Sequence, residues 1–537
     1  MPSSNSTSRT RRTSERRRTP SFVCELPLRV PLLVGRKLAA KLEAARQVYN
    51  ACLGEALRRL GLVRQSRWFT LARALPRTQK EARQAHFSAA RSAHGFSDAA
   101  LQQYAIRLRS AGGTGAKSEK TWIGEHLGAH EVQALASRAY RAANEHLLGR
   151  RGRPRFKGKG RFRSVEGKGP GSSLRWTDGC LVVWGDLALK PMIHPNDPVV
   201  RHALCSRVKY VRIVRRRVRL RTRWYAQLVC EGRPYRKPKH RLGMGVVGVD
   251  IGPSTVGVVS ASQALLTAFC PEVEPPAAAM RRLQRHIDLQ RRANNPDNYL
   301  PDGRVRPGPK RWHVSRRQHV SEERLAETHR RLAAARKTSQ GRLANRVLAM
   351  GDVFQIEKVS YRAFQRAFGR SVGLRAPGVF VERLRRKAEN AGGRVVEFST
   401  RTTALSQVCH CGRRQKKPLR QRWHECPCGV CAQRDLYSAF LARFVVSTEA
   451  GDLLCASQAA DAWAGAEPLL RRAAQSIDQP ARGPVSRPCP ARGRSGSSAE
   501  GTGAGAEAGD AVAAAYGPAV RESPGKAVVL GPRTPGL

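Results

Sequence analysis

Three acidic residues stand where the sequence otherwise favours buried, ordered structure. Asp250 interrupts the apolar run GVDIGPSTVGVVS, Glu357 ends the strand-like DVFQIE, and Asp435 opens the amphipathic helix of QRDLYSAFLARFVV. A carboxylate in a buried strand is costly unless it is paired or bound to a metal. Each also has a plain alternative: a hairpin cap for Asp250, a solvated strand end for Glu357, and a first-turn acid favoured by the helix dipole for Asp435.

Together the three carboxylates predict a magnesium site. Mg²⁺ prefers oxygen ligands, and carboxylates from separate chain segments must converge to hold it. The first strand, the fourth strand and a C-terminal helix of an RNase H-like fold bring such segments together. Two Mg²⁺ ions at that point activate a water and stabilise the leaving oxygen of a phosphodiester. The sequence thus predicts a catalytic, metal-binding set of Asp250, Glu357 and Asp435.

A second candidate metal site lies in a cysteine-rich segment. Five of the 13 cysteines are close together there: Cys409, Cys411, Cys426, Cys428 and Cys431. Four thiolates in two knuckles are the usual ligands of structural zinc. Cys428 and Cys431 have the common two-residue gap, so Cys431 is a rival ligand, with His410 and His424 as weaker ones. Reduced, buried cysteines are the alternative without a metal.

Charge and composition restrict the partners. The 537 residues include 98 Lys+Arg and 40 Asp+Glu, a formal net charge of +58. Such an excess repels itself unless an anion covers it, which points to nucleic acid. No run of about 18 uncharged apolar residues or secretory signal occurs, and clustered cysteines do not form a disulfide framework. We expect a cytoplasmic protein with no membrane partner, and the 41% hydrophobic residues exclude full-length disorder.

Arginine-rich patterns predict the nucleic-acid contacts. Alternating arginines from 215 to 223 predict a row of guanidinium groups on one face of a strand, opposite a largely apolar face. Arginines interleaved with Tyr299 and Trp312 in the segment 281–346 suit phosphate contacts and base stacking; a solvated helix face is the alternative. The candidate contacts are Arg155, Lys157, Arg215, Arg217, Arg219, Arg221, Arg285, Arg292, Arg311 and Trp312.

Periodicity places these residues on elements. The spacing of Leu42, Ala45, Val48, Tyr49 and Cys52 predicts a helix with one apolar face. Apolar runs bounded by Gly and Pro predict strands at 21–34, Leu181–Trp184, Val211–Val214 and Trp224–Cys230. From Met244 the pattern alternates, predicting strands within 245–260, basic helices over 278–349, a strand at Val353–Ile356, a helix at Val379–Ala391 and a strand at Arg394–Phe398.

The order of these features resembles the RuvC-type nuclease half of TnpB proteins and the compact type V CRISPR effectors descended from them. The insert beginning RRLQRHIDLQRRANN and the segment FVERLRRKAENAGGRVVEFSTRTTALSQVCHCG match the family, most specifically from Met244 to Val446. The distance from Cys428 to Asp435 suits the family's last cysteine and catalytic Asp, which favours Cys428 over Cys431. Weaker resemblance covers ARQVYNACLGEAL, RGRPRFKGKGRFRS and RWYAQLVCEG.

The resemblance implies a multidomain α+β protein. An RNase H-like RuvC domain, with inserted helices and a zinc ribbon, would follow a β-barrel wedge domain that carries a helical recognition lobe. The implied boundaries are a disordered basic arm at 1–19, wedge strands at 20–36 and 149–243, the recognition lobe at 37–148, the RuvC domain at 244–404 with its insert at 278–349, the zinc ribbon at 405–432, the RuvC C-terminal helix at 433–447, and a disordered tail at 448–537.

Two departures from the family concern single residues. Its motif DRD-x-N-A-A reads QRDLYSA here, so Gln433 replaces an Asp and Tyr437 replaces the Asn. Its knuckles normally have two residues between cysteines, whereas here they have one. Asp250, Glu357 and Asp435 remain, so the resemblance implies an active nuclease.

The expected function is therefore RNA-guided DNA cleavage in a bacterial cytoplasm. A guide RNA would read the target DNA by base pairing, the protein would read a short flanking motif, and one RuvC site would cut with two Mg²⁺ ions, beside a structural Zn²⁺. One alternative is a transposon-encoded TnpB nuclease guided by RNA from the transposon end. A more remote alternative is a non-catalytic zinc-ribbon protein that binds nucleic acid.

Overall fold

A computed structural model describes residues 19–111, 122–177, 179–418, 421–449 and 451–476. The predicted N-terminal arm therefore lies, up to residue 18, outside the described residues. The chain divides into two compact units, Met1–His240 and Arg241–Leu537. This boundary falls close to the change of sequence pattern at Met244.

Within the described residues, six helices precede most of the sheet in the first unit. They are α1 (Leu32–Gln65), α2 (Arg67–Ala74), α3 (Lys80–Ala93), α4 (Asp98–Ala111), α5 (Trp122–His126) and α6 (Ala129–Leu147). The five apolar residues that predicted the inner face of α1 are all buried. The helix begins at Leu32, inside the stretch 21–34 that was predicted as a strand, because Pro31 cannot donate to a sheet and is tolerated at a helix start. Among the described residues, the helices are all too short or too polar to span a membrane.

In the described part of the first unit, the sheet has seven strands, paired antiparallel in the order β2-β6-β7-β1-β5-β4-β3. Their bounds are β1 (Ser21–Arg29), β2 (Ser164–Glu166), β3 (Leu174–Thr177), β4 (Leu181–Trp184), β5 (Leu187–Pro191), β6 (Val208–Val218) and β7 (Arg221–Glu231); α7 (Pro198–Leu204) lies between β5 and β6 in the chain. Strand β1 alternates exposed and buried residues along its length, so one face of the sheet carries the core. The structure confirms the predicted strand at Leu181–Trp184.

The predicted single row of arginines is wrong. Strands β6 and β7 form a hairpin whose turn consists of Arg219 and Leu220, with φ of +50° and +61°. These positive angles fit a type I′ turn, the tight connection that suits a twisted hairpin. Arg217 pairs with Thr222 and Arg216 with Arg223. Because directly paired residues share a face, the arginines of the two strands divide between both faces of the hairpin.

The second unit is built on a mixed five-stranded sheet with the order β10-β9-β8-β11-β12. The strands are β8 (Val246–Ile251), β9 (Thr255–Val259), β10 (Ala264–Ala268), β11 (Val353–Glu357) and β12 (Arg394–Phe398). Strands β8, β9 and β10 are antiparallel neighbours, whereas β11 runs parallel to both β8 and β12. Val249, Phe354 and Ile356 are buried with Phe380 and Leu384 in one core cluster.

The other elements of this unit surround the sheet or follow it. The helices are α8 (Ala277–Ala293), α9 (Arg316–Leu348), α10 (Tyr361–Arg375), α11 (Pro377–Ala391), α12 (Thr400–Thr403), α13 (Arg434–Ala442), α14 (Ala456–Asp461) and α15 (Trp463–Gln475). The short strands are β13 (Trp423–Glu425), β14 (Cys431–Gln433), β15 (Val445–Thr448) and β16 (Gly451–Leu454). Helices α8 and α9 correspond to the predicted basic insert.

The predicted disordered tail at 448–537 is wrong for the described residues 448–449 and 451–476. Strand β16 and helices α14 and α15 occupy this stretch. Ala466 and Leu470 are buried in the same core cluster as Phe440 of α13, so the alanine-rich composition belongs to an amphipathic helix. Residues 477–537 lie outside the described residues.

Candidate nuclease and metal sites

Two of the three predicted carboxylates lie on neighbouring strands. Asp250 is near the end of β8 and Glu357 is the last residue of β11. The two strands are parallel, with Val249 opposite Ile356. Asp250 follows Val249 and Glu357 follows Ile356, so both acids lie at the same edge of the sheet.

Two glycines let helix α13 approach the sheet closely. A Cβ added to Gly257 on β9 would lie 2.5 Å from the carbonyl oxygen of Asp435, and one added to Gly248 would lie still closer to the carbonyl oxygen of Ala439. Gly257 is paired directly with Asp250. A glycine inside a strand often marks such a close approach of another backbone. Here it brings the start of α13 to the strand that carries Asp250.

Asp435 is held in place by its neighbours. It lies in the first turn of α13 with 5% of its surface exposed. Its Oδ2 accepts hydrogen bonds from Thr255 Oγ1 at 2.7 Å and from an Arg422 guanidinium nitrogen at 3.2 Å. The side chain of Gln433 accepts a hydrogen bond from Leu436 N at 2.8 Å. Gln433 therefore caps the helix.

Burial and neighbouring negative charge raise the pKa of two of the carboxylates. Burial raises the pKa of Asp250 well above its usual range, and the negative charges of Asp435 and Glu357 raise it further. Burial raises the pKa of Glu357 to about 7. Desolvated carboxylates that repel one another are the environment that a divalent cation relieves. The donor set therefore fits Mg²⁺.

The four cysteines of the predicted knuckles form a compact group. Cys409 Sγ lies 3.6 Å from Cys428 Sγ, and Cys411 Sγ lies 3.6 Å from Cys426 Sγ. All four sulfurs lie within 4.8 Å of one another, and Cys431, in β14, is not part of the group. Zinc at about 2.3 Å from each sulfur of a regular tetrahedron gives sulfur separations of about 3.8 Å. The group can therefore hold a metal ion such as zinc.

The cysteine group is joined directly to α13. Strands β13 and β14 pair antiparallel, and β14 ends at Gln433, immediately before the helix. The Tyr437 hydroxyl lies 3.2 Å from Cys409 Sγ. The rings of Tyr437 and His424 lie 4.3 Å apart between centroids. The cysteine segment (409–428) and the helix that carries Asp435 are therefore packed together.

The predicted nucleic-acid contacts of the first unit differ in their surroundings. Arg155 and Lys157 have exposed side chains, and the Lys157 backbone is held to α1 by two hydrogen bonds with Asn50, of 2.8 and 2.9 Å. Arg215 is partly buried and donates to the carbonyl oxygens of Gly160 at 2.6 Å and Phe162 at 3.2 Å. Arg215 therefore has a structural role in the sheet.

At the hairpin tip, four arginines are exposed: Arg217, Arg219, Arg221 and Arg223. They surround one tight turn on two strands. The basic surface that the sequence predicted is therefore present, but it is a tip with two faces rather than one flat row.

The basic insert of the second unit exposes its arginines. Arg285, Arg292 and Arg311 are exposed, and no residue of α8 is buried. The Arg291 guanidinium lies over the half-buried ring of Trp312, 4.1 Å from the ring centroid. A base could therefore stack on Trp312 only at a position that this arginine leaves open.

Comparison with known proteins identifies part of this unit. Residues 378–441 match the model of the Cas12f1-like TNB domain. The match runs from α11 through the four cysteines into α13. The predicted resemblance to compact type V CRISPR effectors is confirmed.

Two solved structures are also similar to the chain. One is the cryo-EM structure of the Cas12f1–sgRNA–target DNA complex, with 11% identity over 79% of this chain and 99% of that chain and a TM-score of 0.37. The other is the cryo-EM structure of the CRISPR–Cas12f ternary complex, with 12% identity over 75% and 80% of the two chains and a TM-score of 0.22. No curated protein matches the sequence.

The sequence did not predict the roles of several residues in the TNB-like segment (378–441) and its neighbouring strands. Gly257 had a usable signal, since glycine inside an apolar strand indicates close approach of a backbone. Thr255 and Arg422, which contact Asp435, had none: Thr255 is 180 residues from Asp435 in the sequence, and the separation of 13 residues between Arg422 and Asp435 fits no regular pattern.

Proposed function

We propose that this protein is an RNA-guided DNA endonuclease of the compact type V CRISPR effector kind. The observation that carries the proposal is the convergence of Asp250 and Glu357, at one sheet edge, with Asp435, which lies inside the TNB-like segment. The mixed five-stranded sheet with α13 packed across it supports an RNase H-like RuvC nuclease.

Each residue of the site has a distinct part in cleavage. Two Mg²⁺ ions, when bound, would supply an activated water and stabilise the leaving oxygen of the phosphodiester. Asp250 and Glu357 would bind them from adjacent strands, and Asp435 would bind them from α13. Thr255 orients the Asp435 carboxylate through its 2.7 Å hydrogen bond. The Arg422 guanidinium lies at the same oxygen, where it can also contact a phosphate of the cut strand.

The cysteine group would bind a structural zinc ion rather than take part in hydrolysis. Four cysteine ligands fill a tetrahedral site and leave no position for a substrate. Its proposed task is to fix the segment from which α13 begins.

The partners follow from the charge and the resemblance. We assign a guide RNA and a target DNA to the basic surfaces, since the related Cas12f1 structure is a complex with sgRNA and target DNA. Candidate contacts are the exposed Arg155, Lys157, Arg219, Arg221, Arg223, Arg285, Arg292 and Arg311, with Trp312. Helices α1–α6 would serve as the recognition lobe and the seven-stranded sheet as the wedge barrel. The proposed location is the bacterial cytoplasm.

Sequencing the RNA that co-purifies with the protein tests this function. Repeat-derived guide RNA, followed by cleavage of a DNA target that matches the guide, is the expected result. RNA from a transposon end would instead identify a TnpB nuclease. Unselective RNA with no guided cleavage would contradict the proposal and favour a non-catalytic binding protein.

A further inference from the structure

Tyr437 has an unusual set of contacts for a residue of the catalytic helix. It is 1% exposed and stands two residues after Asp435. Its hydroxyl lies 3.2 Å from Cys409 Sγ, accepts the backbone N–H of His410 at 3.1 Å, and lies 3.0 Å from His410 Nδ1. The family motif has Asn at this position, so the contacts are a feature of this chain.

The hydrogen bonds are consistent with a metal-bound Cys409. A metal ligand is a thiolate, and a thiolate only accepts hydrogen bonds. The single hydroxyl proton of Tyr437 then points to Cys409, and the phenol oxygen accepts from His410 N–H and from a protonated His410 Nδ1. Every polar group of this small network is satisfied in that arrangement.

The geometry of α13 relates this network to the carboxylate site. Residues two apart lie about 200° apart around an α-helix, so Tyr437 and Asp435 point to nearly opposite sides of α13. Tyr437 faces the cysteine segment, and Asp435 faces Thr255 on β9. The ring of Tyr437 is further enclosed by Trp463, in an edge-on contact of 5.4 Å, and by His424.

We infer that Tyr437 is a positioning residue that couples metal binding at the four cysteines to the placement of Asp435. This inference rests on the proposed nuclease function for its consequence in catalysis, but the coupling is a property of the chain alone. Binding of zinc would fix Cys409, Cys409 would fix the Tyr437 hydroxyl, and Tyr437 would fix the rotation of α13.

The test uses Tyr437→Phe in the full-length protein without nucleic acid. The ring stays in its buried position, so only the hydroxyl is lost. Tyr49→Phe, at another buried tyrosine on α1, is the matched control. The first measurement is the thiolate-to-metal charge-transfer absorption of the cobalt-substituted protein, because loss of a hydrogen bond to a ligand sulfur changes that band. The second is zinc affinity by chelator competition.

We expect a shifted cobalt band and zinc affinity about 10-fold weaker for Tyr437→Phe, and no change for Tyr49→Phe. An unshifted band with unchanged zinc affinity would overturn the contact between Tyr437 and the metal ligand.

Hydrogen exchange tests the coupling itself. In the wild-type protein, zinc should slow exchange both in the cysteine segment and in the amides of α13. In Tyr437→Phe at saturating zinc, the cysteine segment should still be protected while α13 loses most of its gain. Equal zinc-dependent protection of α13 in both proteins would overturn the inference. Since these readouts need no cleavage, failure of the nuclease proposal would appear separately, as a wild-type protein that binds zinc normally but does not cut guided DNA.

Discussion

The carboxylate site and the arginine hairpin show opposite relations between sequence separation and position in the fold. Asp250 and Asp435 are far apart in sequence, yet β8 and α13 bring them to one edge of a sheet. Arg217 and Arg221 are four residues apart, yet they lie on opposite faces of a hairpin. Strand pairing, not sequence separation, decides which side chains can act on one ligand.

This difference predicts different responses to mutation. A convergent site depends on each member, because the remaining groups cannot replace the missing one. Nucleic-acid binding by an exposed basic tip depends on the number of charges on a given face, so each lost arginine should weaken binding only partly. The four cysteines belong to the first class.

The largest effect is expected at the cysteines. Cys411→Ser and Cys428→Ser should each lose the bound zinc and unfold the cysteine segment, since structural zinc contributes roughly 10 kcal/mol to the folding of isolated zinc modules. Elemental analysis and thermal unfolding measure both consequences. Cys431→Ser should retain zinc, because its sulfur lies outside the group of four. Zinc loss in Cys431→Ser alone would mean that the ligand set is wrong.

The next effect concerns the approach of α13 to the sheet. Gly257→Ala should destabilise the protein by about 1–3 kcal/mol, because the added methyl group meets the Asp435 backbone, and guided cleavage should fall with it. Gly341→Ala in α9 is the control: nothing lies within 4 Å of its added Cβ, so the protein should gain up to about 1 kcal/mol. Denaturant midpoints would show the difference, and equal midpoints would refute the close packing.

A smaller effect is expected from pH in magnesium-free buffer. The pKa of Glu357 is about 7 in the folded chain, above its usual value of 4.5, so the folded state holds the proton more tightly. The stabilisation that Glu357 adds to the free energy of unfolding is complete below pH 4.5 and is lost as the pH rises through 7. The wild-type protein should therefore lose on the order of 2 kcal/mol of its unfolding free energy between pH 5 and pH 8. Glu357→Gln should not show this loss.

Urea denaturation at the two pH values measures this loss. Glu389→Gln, at an exposed position of α11, should keep the wild-type dependence. A Glu357→Gln variant with the full wild-type pH dependence would show that Glu357 titrates normally.

The smallest effect separates the two faces of the arginine hairpin. Arg221 and Arg223 share a face, whereas the face of Arg217 continues to Arg215, which is already bonded to the carbonyl oxygens of Gly160 and Phe162. Replacing Arg221 and Arg223 by Gln should therefore lower the salt slope of log K for single-stranded RNA by about 1.4, which is two phosphate contacts.

Arg217→Gln with Arg221→Gln removes the same charge from opposite faces and should lower the slope by about half as much. Equal changes in the two double variants would mean that the division between faces has no consequence for binding. Folding of each variant can be checked by circular dichroism.

The sequence predicted elements better than their pairing. The α1 face and the strands at Leu181–Trp184 and Arg394–Phe398 followed from local periodicity, which reports burial directly. The turn at Arg219 and Leu220 was missed because it has neither the Gly nor the Asn that usually signals positive φ. Helices α14 and α15 were missed because alanine-rich composition resembles a low-complexity segment when the packing partner is unknown.

The same limit applies to the candidate site. The identities of Asp250, Glu357, Asp435 and the four cysteines could be predicted because metal ligands have few residue types and regular spacing. The roles of Thr255 and Tyr437 depend on contacts between distant segments, which the sequence does not show.

Guided DNA cleavage by isosteric variants tests the central claim most directly. With guide RNA and Mg²⁺, Asp250→Asn, Glu357→Gln and Asp435→Asn should each reduce cleavage to background while guide-dependent DNA binding is retained, because each removes one ligand of the same site. Asp288→Asn, at an exposed position of α8, should cut normally. Wild-type cleavage by any one of the three site variants would contradict a single nuclease site formed by these carboxylates.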